Sequence, residues 1–297
     1  MRQDNIKMLQ DTLSVLRQGY YWAKGKRVSV KLSPAEMEEV VVYLPRDIEE
    51  LAADTSFPHV HVLGRVGVAC ENTDSYTLAR KRAEDADLLL GKDHQPVLVL
   101  NLANPVNPGG GVRRGTVAQE EDLCRKSSLL LSLESEAAKA YYQYNSSLHT
   151  FMGSDAVMIT PKVEIIKDER GEPLPESVVV SVMTCAAPML SHGMEGLTER
   201  EYEDMVYRRI TGMLKVAARL GYRMLILGAF GCGAFHNDAR IVSDLFYKAM
   251  KDFDDDGMRL ADCFRRVDFA VLDRSGSLYN YREFSRNFNN FYREEDR

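Results

Sequence analysis

"PVLVLNLANPVNPGGGVRRGTVAQEED", residues 96–122, decides how this chain is read. Its opening, Val97 to Leu100, is apolar without alternation. A strand with one face in water alternates, whereas a strand covered on both faces does not. Three glycines, Gly109, Gly110 and Gly111, follow within the next loop. Glycine loses more conformational freedom on ordering than any other residue, so a triplet marks backbone that turns tightly or lets a ligand come close. Then come Gln119, Glu120, Glu121 and Asp122, ahead of a helical pattern. A helix N-terminus favours acids by roughly 0.3–1 kcal/mol. That accounts for the acids but not for the glycines before them.

The unit is therefore strand, glycine loop, helix, and strands and helices alternate on both sides of it. Upstream, "RVGVACENTD" (65–74) predicts a strand and "SYTLARKRAEDADLLL" (75–90) a helix. Downstream, residues 120–144 predict one long helix, "AVMITPKVEII" and "ESVVVSVMTCAAP" two strands, and "RMLILGAF" a strand buried on both faces. Amphipathic helices at 198–222 and 238–253 and a last strand, "RRVDFAVLD", complete the pattern. Alternating strands and helices give an α/β class, with helices on both faces of a largely parallel sheet. At the start, Ile6, Leu9, Leu13 and Leu16 recur at helical spacing, and residues 27–44 have a mixed, strand-like character. Residues 1–60 are expected to form an N-terminal extension packed on a core of residues 61–297, since no linker-like stretch divides the chain.

The 297 residues are 45% hydrophobic and 28% charged, enough for one sizeable core. A net charge of −6 argues against a general grip on nucleic acid. Five scattered cysteines include no CxxC pair, so zinc is not expected, and their odd number without a leader-like start points to a reducing cytoplasm. No apolar run reaches membrane-spanning length, so no membrane partner is expected.

Ligands of open α/β sheets bind beyond the carboxyl ends of the strands. The glycine triplet is one loop in that place, and "GAFGCGAFHND" (228–238) is another. Two loops able to aim backbone N–H groups at an anion suggest a diphosphate held from both sides. Neither is a phosphate loop of the GKS/GKT type nor a dinucleotide GxGxxG, which argues against phosphoryl transfer. Acids beside a bound diphosphate suggest general acid–base chemistry. Because a helix turns about 100° per residue, adjacent Glu120 and Glu121 are expected to aim apart.

These motifs carry a resemblance. "NLANPVNPGGG", "QEEDLCR" and "LGAFGCGAFHND" resemble the poly(ADP-ribose) glycohydrolase family in its compact microbial branch, with seven residues between Gly111 and Gln119. The likeness runs from "DTLSVLRQGYY" to "FAVLD". It implies a three-layer α/β/α macrodomain-like fold around a mixed sheet. It implies hydrolysis of the ribose–ribose bond of poly(ADP-ribose) to release ADP-ribose, without metal or other cofactor; a monomer is expected. By this resemblance Glu121 is the catalytic acid and base, and Glu120 holds the ribose hydroxyls. Gly109, Gly110, Gly111 and Gln119 pack against the substrate, and Gly231, Cys232, Gly233 and Ala234 offer backbone donors to its phosphates. Phe235 orients the distal ribose, Asn101 or Asn104 holds a ribose hydroxyl, and Asp74 meets the adenine amino group. The alternatives are a macrodomain reader that binds ADP-ribose without cutting it, and a hydrolase of mono-ADP-ribosyl groups on protein or DNA.

Other residues are read more plainly. Cys232 sits among glycines with no activating base, so a backbone role is expected of it rather than nucleophilic attack. His59 and His61 share a strand face but lack a third ligand for a metal. Tyr20, Tyr21 and Trp22 are expected in the core, Asp238 as a helix cap, and His236 on the solvated rim. Arg113 and Arg114 either meet a further phosphate or are exposed. A ring from "SLYNYREFSRNFNNFY" (277–292) is a candidate to stack on adenine.

Overall fold

The computed structural model describes residues 2–53, 65–90, 94–252 and 259–292. Helix α1 (Arg2–Gln18) leads into a separate hairpin of β1 (Tyr20–Ala23) and β2 (Lys26–Ser29), followed by α2 (Pro34–Met37), β3 (Val41–Tyr43) and α3 (Pro45–Ala53). Then come β4 (Gly67–Glu71), α4 (Ser75–Leu90), β5 (Leu98–Leu102), α5 (Gln119–Lys126), α6 (Leu129–Leu133) and α7 (Lys139–Ser147). The rest is β6 (Val157–Lys167), β7 (Pro173–Cys185), α8 (Glu199–Arg219), β8 (Met224–Leu227), α9 (Ala239–Lys251), β9 (Arg266–Ala270) and α10 (Tyr279–Phe288). The main sheet has seven strands in the order β3-β6-β7-β5-β8-β9-β4. From β7 to β4 every neighbouring pair is parallel, and β6 runs antiparallel to both β3 and β7. This is the mixed α/β/α arrangement expected, with β5 in the middle.

Both faces of β5 are covered, which explains its unbroken apolar run. Leu98 and Leu100 face a cluster with Met213, Leu214 and Phe246 from α8 and α9. Val97 and Val99 face another with Leu123, Leu130 and Tyr141 from α5 to α7. Each such side chain stabilises the fold by roughly 1.5–3 kcal/mol on burial. Among the described residues no helix is long and apolar enough to cross a membrane.

Three expectations change. The single helix over residues 120–144 is three. Ser127 is extended, at φ −148° and ψ −179°, and bridges to Ile165, while the Ser128 amide donates to Glu164 O at 3.1 Å. Pairing with β6 outcompetes helical continuation there. The strand-like stretch 27–44 is divided by α2, whose Ser33–Glu36 capping box fixes its start. Of the aromatic trio, Tyr21 is buried but Trp22 is 62% exposed, because the hairpin alternates its faces. His59 and His61, and the boundary drawn at residue 60, lie outside the described residues.

Candidate active site

The site begins where β5 ends. Gln119, the first residue of α5, clips the helix to the strand: its Oε1 accepts from Leu102 N at 2.9 Å and its Nε2 donates to Leu100 O at 2.7 Å. Its carboxamide is thus committed to the strand, which fixes where Glu120 and Glu121 emerge. The three acids after it take three different partners. Asp122 faces Lys126, Oδ2 to Nζ 2.6 Å, on the helix's own side. Glu120, 3% exposed, accepts from Asn104 N at 2.9 Å and from Asn101 Nδ2 at 3.3 Å. Glu121, 7% exposed, accepts on Oε1 from Gly111 N at 2.9 Å and from Thr116 Oγ1 at 3.0 Å.

Adjacent Glu120 and Glu121 are expected to aim apart, yet both carboxyl groups close on Gly110. A methyl group on that residue would lie 2.6 Å from Glu121 Oε1 and 3.0 Å from Glu120 Oε2. Gly109 and Gly110 also have positive φ, 65° and 57°. Two neighbouring acceptors are buried without a hydrogen bond among the described residues: Glu121 Oε2 and Asn101 Oδ1. Buried polar atoms are normally paired, so each unpaired one calls for a physical reason.

Burial raises the Glu120 carboxyl to about 8, with the charge of Glu121 adding to the rise and the bonds from Asn104 and Asn101 opposing it. A carboxyl raised in the folded state binds its proton more tightly there. Its contribution to stability is complete below the ordinary value of 4.5 and is lost as pH rises to about 8. Glu120→Gln should therefore gain stability relative to wild type across that window. Thermal melts from about pH 5 to pH 9 check this; parallel curves would show that the carboxyl is ionised throughout.

The triplet loop is braced from outside the sheet. Thr116 O accepts from Arg125 Nη1 at 2.6 Å, and Arg125 O accepts from Thr12 Oγ1 of α1 at 2.5 Å. Arg2 Nε donates to Arg114 O and Asn5 Nδ2 to Gly115 O, at 2.7 and 3.1 Å. Sequence reasoning missed Thr116, because a hydroxyl five residues before a glutamate carries no local signal. Thr116→Val, which removes the donor at nearly constant size, should lower kcat about tenfold or more with little change in KM, and Thr116→Ser should restore it. Steady-state kinetics on the three proteins check this.

The second loop follows β8. Its Gly231, at φ +75°, leaves no room for a side chain, since a methyl there would lie 2.5 Å from Ala187 Cβ. Asn237, 4% exposed, holds the loop's shape: Nδ2 donates to Pro188 O at 2.7 Å and Gly231 O at 3.0 Å, and Oδ1 accepts from Tyr202 at 2.7 Å. The amides of Gly233, Ala234 and Phe235 make no hydrogen bond among the described residues. The Cys232 amide, expected as a donor to phosphate, is spent on Ala229 O at 3.0 Å. Burial pushes the Cys232 thiol well up, so it is neutral and unsuited to attack.

Several other candidates have local partners. Asp74 accepts from Thr77 N at 3.1 Å and Thr77 Oγ1 at 2.6 Å, the bonding of a helix cap for α4. Asn104 Oδ1 accepts from Val106 N at 3.0 Å and Asn107 N at 2.8 Å, so its side chain shapes the loop. Asp238 caps α9, as expected, and His236 is exposed. Arg113 is held in a fork by Glu134, at 2.9 and 2.7 Å. Of the C-terminal rings, Phe284, Phe288 and Phe291 are core, whereas Tyr279 is 42% exposed with its hydroxyl 3.2 Å from Asp238 Oδ2. Asn280 Nδ2 reaches Cys232 O at 3.4 Å, so the start of α10 abuts the second loop.

Known structures share this fold. Poly(ADP-ribose) glycohydrolase from Thermomonospora curvata is 28% identical over 97% of this chain and 100% of its own, with a TM-score of 0.87. The same protein bound to the inhibitor ADP-HPD matches at 28% identity over 97% and 100%, with a TM-score of 0.84. The glycohydrolase from Deinococcus radiodurans in complex with ADP-ribose matches at 28% identity over 87% and 98%, with a TM-score of 0.75. A search of curated protein sequences finds no match. The family profile described as microbial-type PARG, catalytic domain, matches residues 9–168, from within α1 to just beyond β6. With β5, the glycine triplet and both glutamates inside that match, the chain belongs to the microbial-type poly(ADP-ribose) glycohydrolase family.

Proposed function

We propose that this protein hydrolyses the ribose–ribose O-glycosidic bond of poly(ADP-ribose) and releases ADP-ribose, with Glu121 as the proton donor and then the base. The observation that carries the assignment is the division of labour on its carboxylate. Oε1 is held by Gly111 N and Thr116 Oγ1, while Oε2 is buried without a partner. Held on one oxygen, the group presents the other to the departing ribose oxygen. Once the bond breaks, the same oxygen takes a proton from water. The oxocarbenium-like transition state gains positive charge, which a carboxylate and the substrate's own diphosphate stabilise. Most glycosidases set two carboxylates on opposite sides of the bond. Here both close on one glycine, which supports a single working acid with Glu120 as its neighbour on the ribose hydroxyls.

Asn101, with a buried unpartnered Oδ1, suits a ribose hydroxyl better than Asn104 does. The unbonded amides of Gly233 and Ala234 suit the diphosphate, and Phe235 the ribose beyond it. Helix α1, at the start of the N-terminal extension in this reading, braces the triplet loop through Arg2, Asn5 and, by way of Arg125, Thr12. Cys70, Cys124, Cys185 and Cys232 carry free thiols, which fits a cytoplasmic protein.

The test is incubation with poly(ADP-ribose), and separately with mono-ADP-ribosylated protein, in EDTA. Free ADP-ribose from the polymer is the expected product, at a rate unchanged by the chelator. Strict dependence on a divalent ion, or cleavage of the mono-modified protein alone, would remove this mechanism.

A further inference from the structure

Two loops with no part in the acid–base chemistry meet beside the second glycine loop. Phe151, 45% exposed, lies flat against the exposed His192 ring, with centroids 4.0 Å apart and planes inclined by 8°. The pair is fixed from several sides. Met189 N donates to Phe151 O and Leu190 N to Phe235 O, both at 2.8 Å, so consecutive residues tie this ring and Phe235 to one strand of backbone. The Glu195 carboxylate accepts from Phe151 N at 2.9 Å and from the Thr150 hydroxyl. Arg209, 1% exposed, donates to Met152 O at 3.0 Å and to Ala186 O at 2.8 Å, which locks the loop to the exit of β7. His149, Glu195 and His236 take positive φ values of 49°, 52° and 62°, three of the five non-glycine residues that do so among those described. Backbone of this kind persists where its surroundings over-determine it, and it gathers at ligand sites.

The position of the pair follows from the sheet order. β7 borders β5 on the Glu120 side: Asn101 Nδ2 donates to Thr184 Oγ1 at 3.2 Å and Ala103 N to Cys185 O at 3.1 Å. The opposite end of the rim, at β9 and β4, carries Asp74 and the turn before α10. A diphosphate between the glycine loops therefore points one end of the ligand to β9 and β4 and the other towards β7. Under the glycohydrolase reading, on which this inference rests, the scissile ribose occupies the end with the glutamates. The oxygen that leaves belongs to the ribose of the next adenosine. The leaving group thus carries an adenine on the very sugar that departs, close beyond the scissile bond.

We infer that the Phe151–His192 pair is a leaving-group subsite on which the adenine of the departing unit stacks. A base presents a flat π-face, and the outer face of a preformed ring stack receives it without ordering cost in the protein. The subsite serves polymer and is indifferent to free ADP-ribose, which has no second adenine.

The test measures KM and kcat on poly(ADP-ribose), and ADP-ribose affinity by calorimetry, for wild type, Phe151→Ala, Phe151→Tyr and His192→Ala. Phe151→Ala is expected to raise KM about tenfold, the loss of one base–aromatic stack, with ADP-ribose affinity within about twofold of wild type. His192→Ala is expected to do the same more weakly, and Phe151→Tyr to behave as wild type. Polymer kinetics of Phe151→Ala matching wild type would overturn the inference. So would a parallel loss of ADP-ribose affinity, which would give the ring to the terminal unit's own site. A Phe151→Tyr protein as impaired as Phe151→Ala would reduce the pair to a loop brace. Wild-type protein that binds ADP-ribose yet leaves the polymer intact would instead sink the glycohydrolase reading, and the subsite with it.

Discussion

Glu121→Gln is expected to bind ADP-ribose as wild type does and to cleave poly(ADP-ribose) roughly 10²–10⁴-fold more slowly, the usual worth of a positioned general acid and base. The carboxamide keeps the shape of the side chain. Its oxygen still accepts from Gly111 N and Thr116 Oγ1, as Glu121 Oε1 does at 2.9 and 3.0 Å. What changes is the buried second position, where Oε2 makes no bond to the protein. An amide nitrogen there can neither hand a proton to a departing oxygen nor take one from water. Single-turnover kinetics with calorimetric ADP-ribose binding separate the two quantities. Turnover near the wild-type rate would move the catalytic role to another group. Glu120→Gln should differ in kind, with weaker ribose positioning and the altered pH dependence of stability described above.

Gly110→Ala should abolish turnover to a similar degree while leaving a folded protein. The residue sits at φ +57°, where an L-side chain costs roughly 1–2 kcal/mol. Its methyl would also press on both carboxylates, at 2.6 and 3.0 Å. Glu121 cannot yield without breaking its bonds to Gly111 N and Thr116 Oγ1, and Glu120 cannot without losing Asn104 N. The strain therefore lands on the two groups that matter most. Gly233→Ala provides the contrast, because nothing lies within 4 Å of a methyl added there. Circular-dichroism melts and kcat for both variants check this: a drop of a few degrees with lost turnover for the first, and unchanged melting for the second. Wild-type turnover in Gly110→Ala would show that the glutamates are not confined as the geometry requires.

Much of this was legible before any coordinate. The unbroken apolar run of β5 comes from burial on both faces, and a sequence displays that directly. The glycine triplet and the acids of α5 lie within one local unit of strand, loop and helix, so their spacing alone placed them on one rim. Asp238 as a cap was readable for the same reason, since its partners are the amides of Arg240 and Ile241. The glycines explain themselves only in three dimensions. Gly110 is required by two carboxylates ten and eleven residues away, and Gly231 by Asn237 and Ala187.

What the tertiary structure decided is the partner of each polar atom. Gln119 is a clip on the backbone of β5, Asn104 and Asp74 are committed to local turns, and the Cys232 amide is already bonded. Helix 120–144 is broken because Ser127 and Ser128 pair with Ile165 and Glu164. The chain Thr12–Arg125–Thr116–Glu121 ties α1 to the proposed catalytic carboxylate. Hydrophobic periodicity records which face of an element is buried, and that is fixed by each segment on its own. A hydrogen bond between segments a hundred residues apart is chosen only once packing has brought them within about 3 Å. The sequence therefore determined the fold and the address of the proposed site, and folding alone determined which oxygen of Glu121 is held and which has no protein partner among the described residues.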